Sequence, residues 1–152
     1  MRTNTTRLKV VARGVGRGLV AASGVALAVV PWITDMNRGH TLGPGWDGHA
    51  RLHGIATVLA CTGKGVLVTA LATRAHGTAA AEQTAVRFAA AVPLIHWLPY
   101  NVSALLPTTS VDETFRTVPR VFGLIPANLL GQNLLAALAA AGLGLHHWAL
   151  RR

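Results

Sequence analysis

Long stretches without Asp, Glu, Lys or Arg are the feature that most constrains this chain. Three of them, 18–34, 88–111 and 121–150, are long enough for a helix to cross about 30 Å of hydrocarbon. A fourth, 54–73, is interrupted only by Lys64. With 51% apolar and 12% charged residues, the chain is too apolar for an ordinary soluble domain of 152 residues. We therefore expect an integral membrane protein.

These stretches predict an all-α fold in which one domain, residues 1–152, is a membrane four-helix bundle. The predicted spans cover 16–34, 54–73, 87–106 and 121–149. Nine of the 14 basic residues then lie on the side of the two chain ends, so the positive-inside rule places both termini in the cytoplasm. The expected location is the cell membrane, with multiple passes. Alternatively, the first span is a cleaved signal peptide, because residues 26–28 form a small-residue cleavage pattern.

The net charge of +9 follows the same topology. Basic residues at the cytoplasmic side direct insertion and attract anionic headgroups, so the lipid bilayer is an expected partner. The chain has no basic stripe with interleaved aromatic residues, and nucleic acid is therefore not an expected partner. Cys61 is the single cysteine, which excludes an internal disulfide and favours a packing role within the second span.

A polar group opens the second span and continues to its middle. Asp47 can cap the helix N-terminus, and His49, His53 and Lys64 then fall on one helical face at i, i+4 and i+15. An ammonium near mid-membrane is costly unless it is paired, hydrated or neutral, so Lys64 is a candidate base, nucleophile or anion-binding group. Snorkelling of its side chain towards the surface is the structural alternative.

Further polar residues of the third and fourth spans lie at the same predicted depth. Because lipid-facing positions would be costly, we expect an inward-facing cavity open to the non-cytoplasmic side. The predicted catalytic residues are His49, His53, Lys64 and Asp112. The predicted substrate-binding residues are Trp46, Arg51, His96, Trp97, Tyr100, Asn101, Asn128 and Gln132. For the amides, including Asn133, interhelical hydrogen bonding is the alternative.

Metal binding is a separate alternative for the two histidines. The spacing His49-x-x-x-His53 lets two imidazoles of one helix hold one ion. It lacks the glutamate of the zincin pattern, and a third ligand would have to come through the fold, from His40, Asp47, His96, Asp112 or Glu113. We therefore assign no metal, and no cofactor follows from the sequence.

The pattern Trp46-x-x-His49-x-Arg51-x-His53, followed by Asp112 and by Pro126-Ala127-Asn128, resembles a group of small four-helix membrane proteins of largely unassigned function. In size and layout, residues 16–150 are similar to the DoxX-like and anthrone-oxygenase-like families. Where those members often have an asparagine-proline pair before the tryptophan, this chain has Gly43-Pro44-Gly45. The resemblance implies an inward-facing site that includes His49, Arg51 and His53.

Two functional hypotheses follow. The first is a membrane enzyme that isomerises, cyclises or oxygenates a lipophilic small molecule without a cofactor, since ionisable groups converge on an apolar cavity. The second is a non-catalytic membrane partner: an accessory subunit, a homo-oligomer, or a binder of a metal or quinone-like ligand. In that case the glycine and alanine faces of spans one and four would associate with the partner. A lipophilic small molecule is the predicted partner under the first hypothesis, and a quinone-like ligand is one of the partners considered under the second.

Overall fold

Helices make up most of the structure. The computed structural model describes residues 2–107, 109–112 and 117–151. The helices are α1 (Arg2–Thr34), α2 (Gly48–Thr73), α3 (Ala79–Trp97), the short α4 (Pro99–Ser103) and α5 (Ala127–Leu150). An antiparallel hairpin pairs two-residue strands, β1 (Arg120–Val121) and β2 (Ile125–Pro126). The predicted helical class is confirmed, with this hairpin as the exception.

Three of the described helices are long and apolar enough to cross a membrane. The qualifying segments are Asn4–Thr34, Gly48–Thr73 and Ala127–Leu150, with 31, 26 and 24 residues. They correspond to the first, second and fourth predicted spans. Length and composition therefore support a small membrane protein, while the side on which each terminus lies stays a prediction.

The third predicted span, 87–106, is divided in the structure. Helix α3 starts earlier, at Ala79, because the hydroxyl of Thr78 accepts a hydrogen bond from the backbone N–H of Ala81 at 3.1 Å. It ends at Trp97, and α4 begins at Pro99. Proline has no N–H to continue the helical ladder, so a break at this position follows from the sequence. The resulting α3 has 19 residues and is not among the three helices that qualify as spans.

The fourth predicted span starts later than expected. Residues 121–126 belong to the hairpin, and α5 begins only at Ala127. The turn of the hairpin contains two left-handed residues, Phe122 with φ +52° and Gly123 with φ +72°. Glycine adopts this conformation freely, and Phe122 adopts it at a cost in backbone strain. The apolar run that suggested a helix from Val121 therefore forms a turn, with Phe122 92% exposed.

Glycine lets α1 approach its two main neighbours closely. A Cβ atom at Gly16 would lie 2.6 Å from the carbonyl oxygen of Gly142 in α5. A Cβ at Gly65 in α2 would collide with the carbonyl oxygen of Gly24 in α1. In lipid, such small residues permit the dense packing that drives helix association. We expected the glycine and alanine faces of the first and fourth spans to meet a partner. Part of these faces instead packs within the chain.

The packed helices have two distinct ends. At the terminal end, Lys9 donates to the carbonyl of Arg151, and Arg17 donates to the carbonyls of the last turn of α2. Both termini and the α2–α3 connection thus meet there. The loop end holds residues 35–47 and the described part of 104–126. Asn128 connects this loop to α5, because its side-chain amide donates a hydrogen bond to the carbonyl of Val111 at 3.2 Å.

Candidate functional site

The two predicted catalytic histidines lie side by side at the start of α2. Asp47 caps this helix as predicted, accepting a hydrogen bond from the N–H of Ala50 at 2.7 Å. The Nε2 atoms of His49 and His53 are 3.2 Å apart, and the rings meet edge to face with centroids 4.6 Å apart. Both side chains are exposed. The shared helical face is confirmed, but it points outwards.

Lys64 also lies on the outside of α2. The buried face of this helix consists instead of Val58, Cys61, Gly65, Val68 and Ala72. These residues are small or β-branched and recur every three or four positions, so they fit the close contact with α1 better than a long polar stripe would. The expected inward orientation of His49, His53 and Lys64 is not what the structure has, while their chemical roles stay predictions.

Asp112 is engaged within its own loop. Its carboxylate accepts hydrogen bonds from the guanidinium of Arg120 at 3.1 and 3.2 Å and from the N–H of Val118 at 3.0 Å. The hydrogen bonds from Arg120, followed by the one from Val118, lower the pKa of Asp112. Within the described parts of the chain, no hydrogen bond or ion pair joins it to His49 or His53. The structure therefore separates Asp112 from the other predicted catalytic residues.

Trp46 and Arg51 shape the first loop. The ring of Trp46 lies 4.9 Å from the ring of His40, centroid to centroid. Arg51 donates to the carbonyl of Gly43 at 3.1 Å. These contacts hold the loop against the start of α2, which is a structural role for two residues predicted to bind substrate.

A second polar group is formed where α2, α3 and α4 meet. His96 packs edge to face against Trp97 and Tyr100, with ring centroids 4.5 and 6.0 Å apart. Its Nε2 lies 3.5 Å from the Sγ of Cys61. Cys61 is a buried free thiol in the same apolar cluster as Trp97, Leu27 and Ala136. Three predicted substrate-binding residues are thus brought together here, next to the cysteine that we expected only to pack.

The amides of α4 and α5 complete this group. Asn101 and Asn133 exchange two hydrogen bonds, of 2.8 and 3.0 Å, across the two helices. Gln132 lies one turn before Ala136, which belongs to the same apolar cluster as Trp97, so helical spacing places Gln132 on the same face of α5 as Ala136. Asn128, by contrast, is exposed and supports the loop. For Asn101 and Asn133, the alternative role of hydrogen bonding between helices agrees with the structure.

Two buried polar atoms of this group have no hydrogen-bond partner among the described residues. They are the indole Nε1 of Trp97, a residue only 4% exposed, and the Oε1 of Gln132. Leaving such an atom unpaired costs about 1–3 kcal/mol. A donor and an acceptor are therefore available in an apolar environment, and we refer to Cys61, His96, Trp97, Tyr100 and Gln132 as the loop-end polar group.

The described residues contain no cluster of three or more His, Cys, Asp or Glu side chains placed to hold a metal ion. Glu113, one of the third ligands considered, lies outside the described residues. His40 is turned towards Trp46 and Thr41. A metal at His49 and His53 would consequently have two ligands from the described parts of this chain.

Sequence reasoning missed a buried ionic cluster at the terminal end. Glu82, 3% exposed in the first turn of α3, accepts hydrogen bonds from Arg13 at 2.6 and 2.7 Å and from Arg17 at 3.3 Å. The Nε2 of the fully buried His146 lies 2.9 Å from the same carboxylate. Helices α1, α3 and α5 thus meet at one side chain.

Arg17 extends this cluster to α2. Its guanidinium donates to the carbonyls of Ala72, Thr73 and Arg74 at 2.7–2.9 Å, which satisfies groups that a helix C-terminus leaves unpaired. The hydrogen bonds from Arg13 outweigh the opposing effect of burial and, with the contact to His146, lower the pKa of Glu82 to about 2. Glu82 precedes the apolar run that begins at Phe88. We call these residues, Arg13, Arg17, Glu82 and His146, the terminal-end cluster.

One signal in the sequence could have indicated this cluster. The chain has five acidic residues, and Glu82 is the only one placed on the strongly basic side of the predicted topology. A single carboxylate among many guanidinium groups is a natural ion-pair centre.

Comparisons with protein-family models, with curated proteins and with solved structures give no match for this chain. The resemblance to the DoxX-like and anthrone-oxygenase-like families therefore stays a prediction.

Proposed function

We propose that this protein is a small multi-pass membrane protein that binds a lipophilic small molecule at the loop-end polar group. The observation that carries the proposal is the pair of buried, unpartnered atoms, the Nε1 of Trp97 and the Oε1 of Gln132. Ligand sites are typically apolar with a few polar groups that fix orientation, which describes this region. A ligand that fills these bonds recovers the cost of leaving them unpaired.

The chemistry of the two atoms defines the ligand class. An indole N–H donates to a carbonyl oxygen, and an amide oxygen accepts from a hydroxyl. The rings of His96, Trp97 and Tyr100 offer flat apolar surfaces beside them. A quinone-like molecule, with ring carbonyls in one redox state and hydroxyls in the other, fits both atoms.

Binding of a short-chain benzoquinone and of its hydroquinone to the purified protein in mild detergent tests this proposal. Trp97→Phe keeps the ring and removes the N–H, so it should weaken binding of the quinone; Gln132→Leu removes the acceptor, so it should weaken binding of the hydroquinone. Each loss should be about 3- to 10-fold, the value of one hydrogen bond. Trp32→Phe is the matched control, because the N–H of the exposed Trp32 is already donated to Thr62, at 2.8 Å. Equal binding by all four proteins would refute the proposal.

A second candidate function is catalysis on such a molecule. The observation that favours it is the 3.2 Å distance between the Nε2 atoms of His49 and His53, which lets one ring pass a proton to the other. Comparing the lipophilic metabolites of a host that expresses the wild type or His49→Ala/His53→Ala tests it. A product that depends on both histidines would support an enzyme, and identical profiles would leave binding as the function.

A further inference from the structure

The paired histidines of α2 have the geometry of a chelating site. Asp47 fixes the first turn of the helix, so the backbone positions of His49 and His53 are set. From these positions both side chains turn their Nε2 atoms towards one another, to 3.2 Å, although both are exposed and free to choose other rotamers. Ordering two exposed side chains costs conformational entropy, so an interaction between the two rings or with a shared ion must offset that cost.

The distance between the two nitrogens agrees with metal coordination. Zinc–imidazole bonds of about 2.0–2.1 Å in a tetrahedral arrangement place two nitrogen ligands about 3.3–3.4 Å apart. The observed separation of 3.2 Å is within the tolerance of such a site. A direct N–H···N hydrogen bond gives a similar distance, and the two interpretations differ in whether an added metal binds.

The charged neighbours permit a cation at this position. The guanidinium of Arg51, between the two histidines in sequence, is turned away to the carbonyl of Gly43. The carboxylate of Asp47 lies at the same end of the helix and offsets the positive end of the helix dipole. The exposed position leaves the remaining coordination sites open to water or to a ligand.

We propose that His49 and His53 bind one transition-metal ion of the zinc type through their Nε2 atoms, with the other coordination positions open. This site is separate from the loop-end polar group and does not depend on the proposed ligand function. An ion with two protein ligands and open positions can act as a Lewis acid towards an oxygen-containing molecule.

Titration of the full chain with Zn²⁺, in detergent and without a polyhistidine tag, tests the proposal. His49→Ala and His53→Ala should each lower zinc affinity by at least about tenfold, because the second ligand of a chelate is lost. His40→Ala and His76→Ala are matched controls; His40 faces Trp46, and the Nε2 of His76 lies 3.0 Å from the carbonyl of Leu71. Both controls should bind as the wild type does.

Replacement of Zn²⁺ by Cu²⁺ adds a structural readout. Electron paramagnetic resonance of the wild type should show coupling to two imidazole nitrogens, and that of each single variant to one. Wild-type zinc affinity in His49→Ala/His53→Ala, or an equal loss in the His40 control, would overturn the proposal. Because benzoquinone binding is measured on other residues, the failure of either proposal is recognised independently of the other.

Discussion

The two ends of the packed helices hold their polar residues in different states. At the terminal end, the buried carboxylate of Glu82 is engaged by Arg13, Arg17 and His146, although the Nδ1 of His146 has no partner among the described residues. At the loop end, Trp97 and Gln132 bury polar atoms without a partner. A satisfied network stabilises one packing arrangement, whereas an unsatisfied one has bonding capacity left for a ligand. The comparison teaches that a shared carboxylate holds the terminal end together, whereas the loop end is where we propose that a ligand binds.

The largest expected effect is at the centre of the terminal-end cluster. Glu82→Ala should lower the free energy of unfolding by about 3–5 kcal/mol, because it removes the buried carboxylate that the partly exposed Arg13 and Arg17 and the buried His146 share. The loop-end variant His49→Ala/His53→Ala should change it by less than about 0.5 kcal/mol, as expected for exposed residues. Thermal and denaturant unfolding in detergent measures both. Similar losses in the two variants would contradict the division between the ends.

Acid should weaken the same cluster without a mutation. The pKa of Glu82 is about 2 in the folded protein and near 4.5 when unfolded, so its contribution is complete above the unfolded value. It should be lost as pH falls from about 4.5 to about 2, an effect on the order of 3 kcal/mol. Unfolding measured across this range checks it. Glu82→Gln should remove most of this pH dependence, and a pH profile unchanged by the substitution would assign it to other carboxylates.

Close glycine packing between α1 and α5 gives the next largest expected effect. Gly16→Val should cost about 1–3 kcal/mol, because its side chain would overlap Gly142 and the backbone of His146. Gly14→Val, on the same helix, and Gly131→Val, at the loop end, face open space and should be nearly neutral. The melting temperatures of the three variants, measured side by side, test this difference. An equal change in all three would mean that Gly16 is no more closely packed than Gly14 or Gly131.

The smallest effect is expected for the satisfied pair of the loop end. A double-mutant cycle of Asn101→Ala and Asn133→Ala should give a coupling energy of about 0.6–1.7 kcal/mol, the range for hydrogen bonds between membrane helices. Denaturant unfolding of the two single variants and the double variant provides the cycle. A coupling energy near zero would mean that the two hydrogen bonds between Asn101 and Asn133 do not stabilise the fold.

The sequence predicted the fold well where one physical signal dominates. Charge-free length placed three helices, and the carboxylate of Asp47 marked the start of α2. The predicted start of the fourth span was wrong, because an apolar run such as 121–126 suits a helix or a turn equally. The left-handed conformations of Phe122 and Gly123 decide that choice, and they depend on the local backbone.

The candidate site was predicted only in part, for a different reason. His96, Trp97 and Tyr100 are near neighbours in sequence, and helical spacing alone brings them together. The orientation of α2 was not available from polarity, because its inner face is chosen by how closely Gly65 approaches Gly24. Partners from distant helices, such as Glu82 and His146, are 64 residues apart, and no local pattern connects them.

That separation has a consequence for the order in which the protein assembles. Arg13 and Glu82 can meet once α3 has been synthesised, but the contact with His146 requires α5, which follows many residues later. Any association of α1, α2 and α3 before α5 is synthesised therefore leaves Glu82 without its contact to His146. The same helix supplies Gly142, which packs against Gly16. Both contacts of α1 and α3 with α5 thus depend on the helix that is synthesised last among those described.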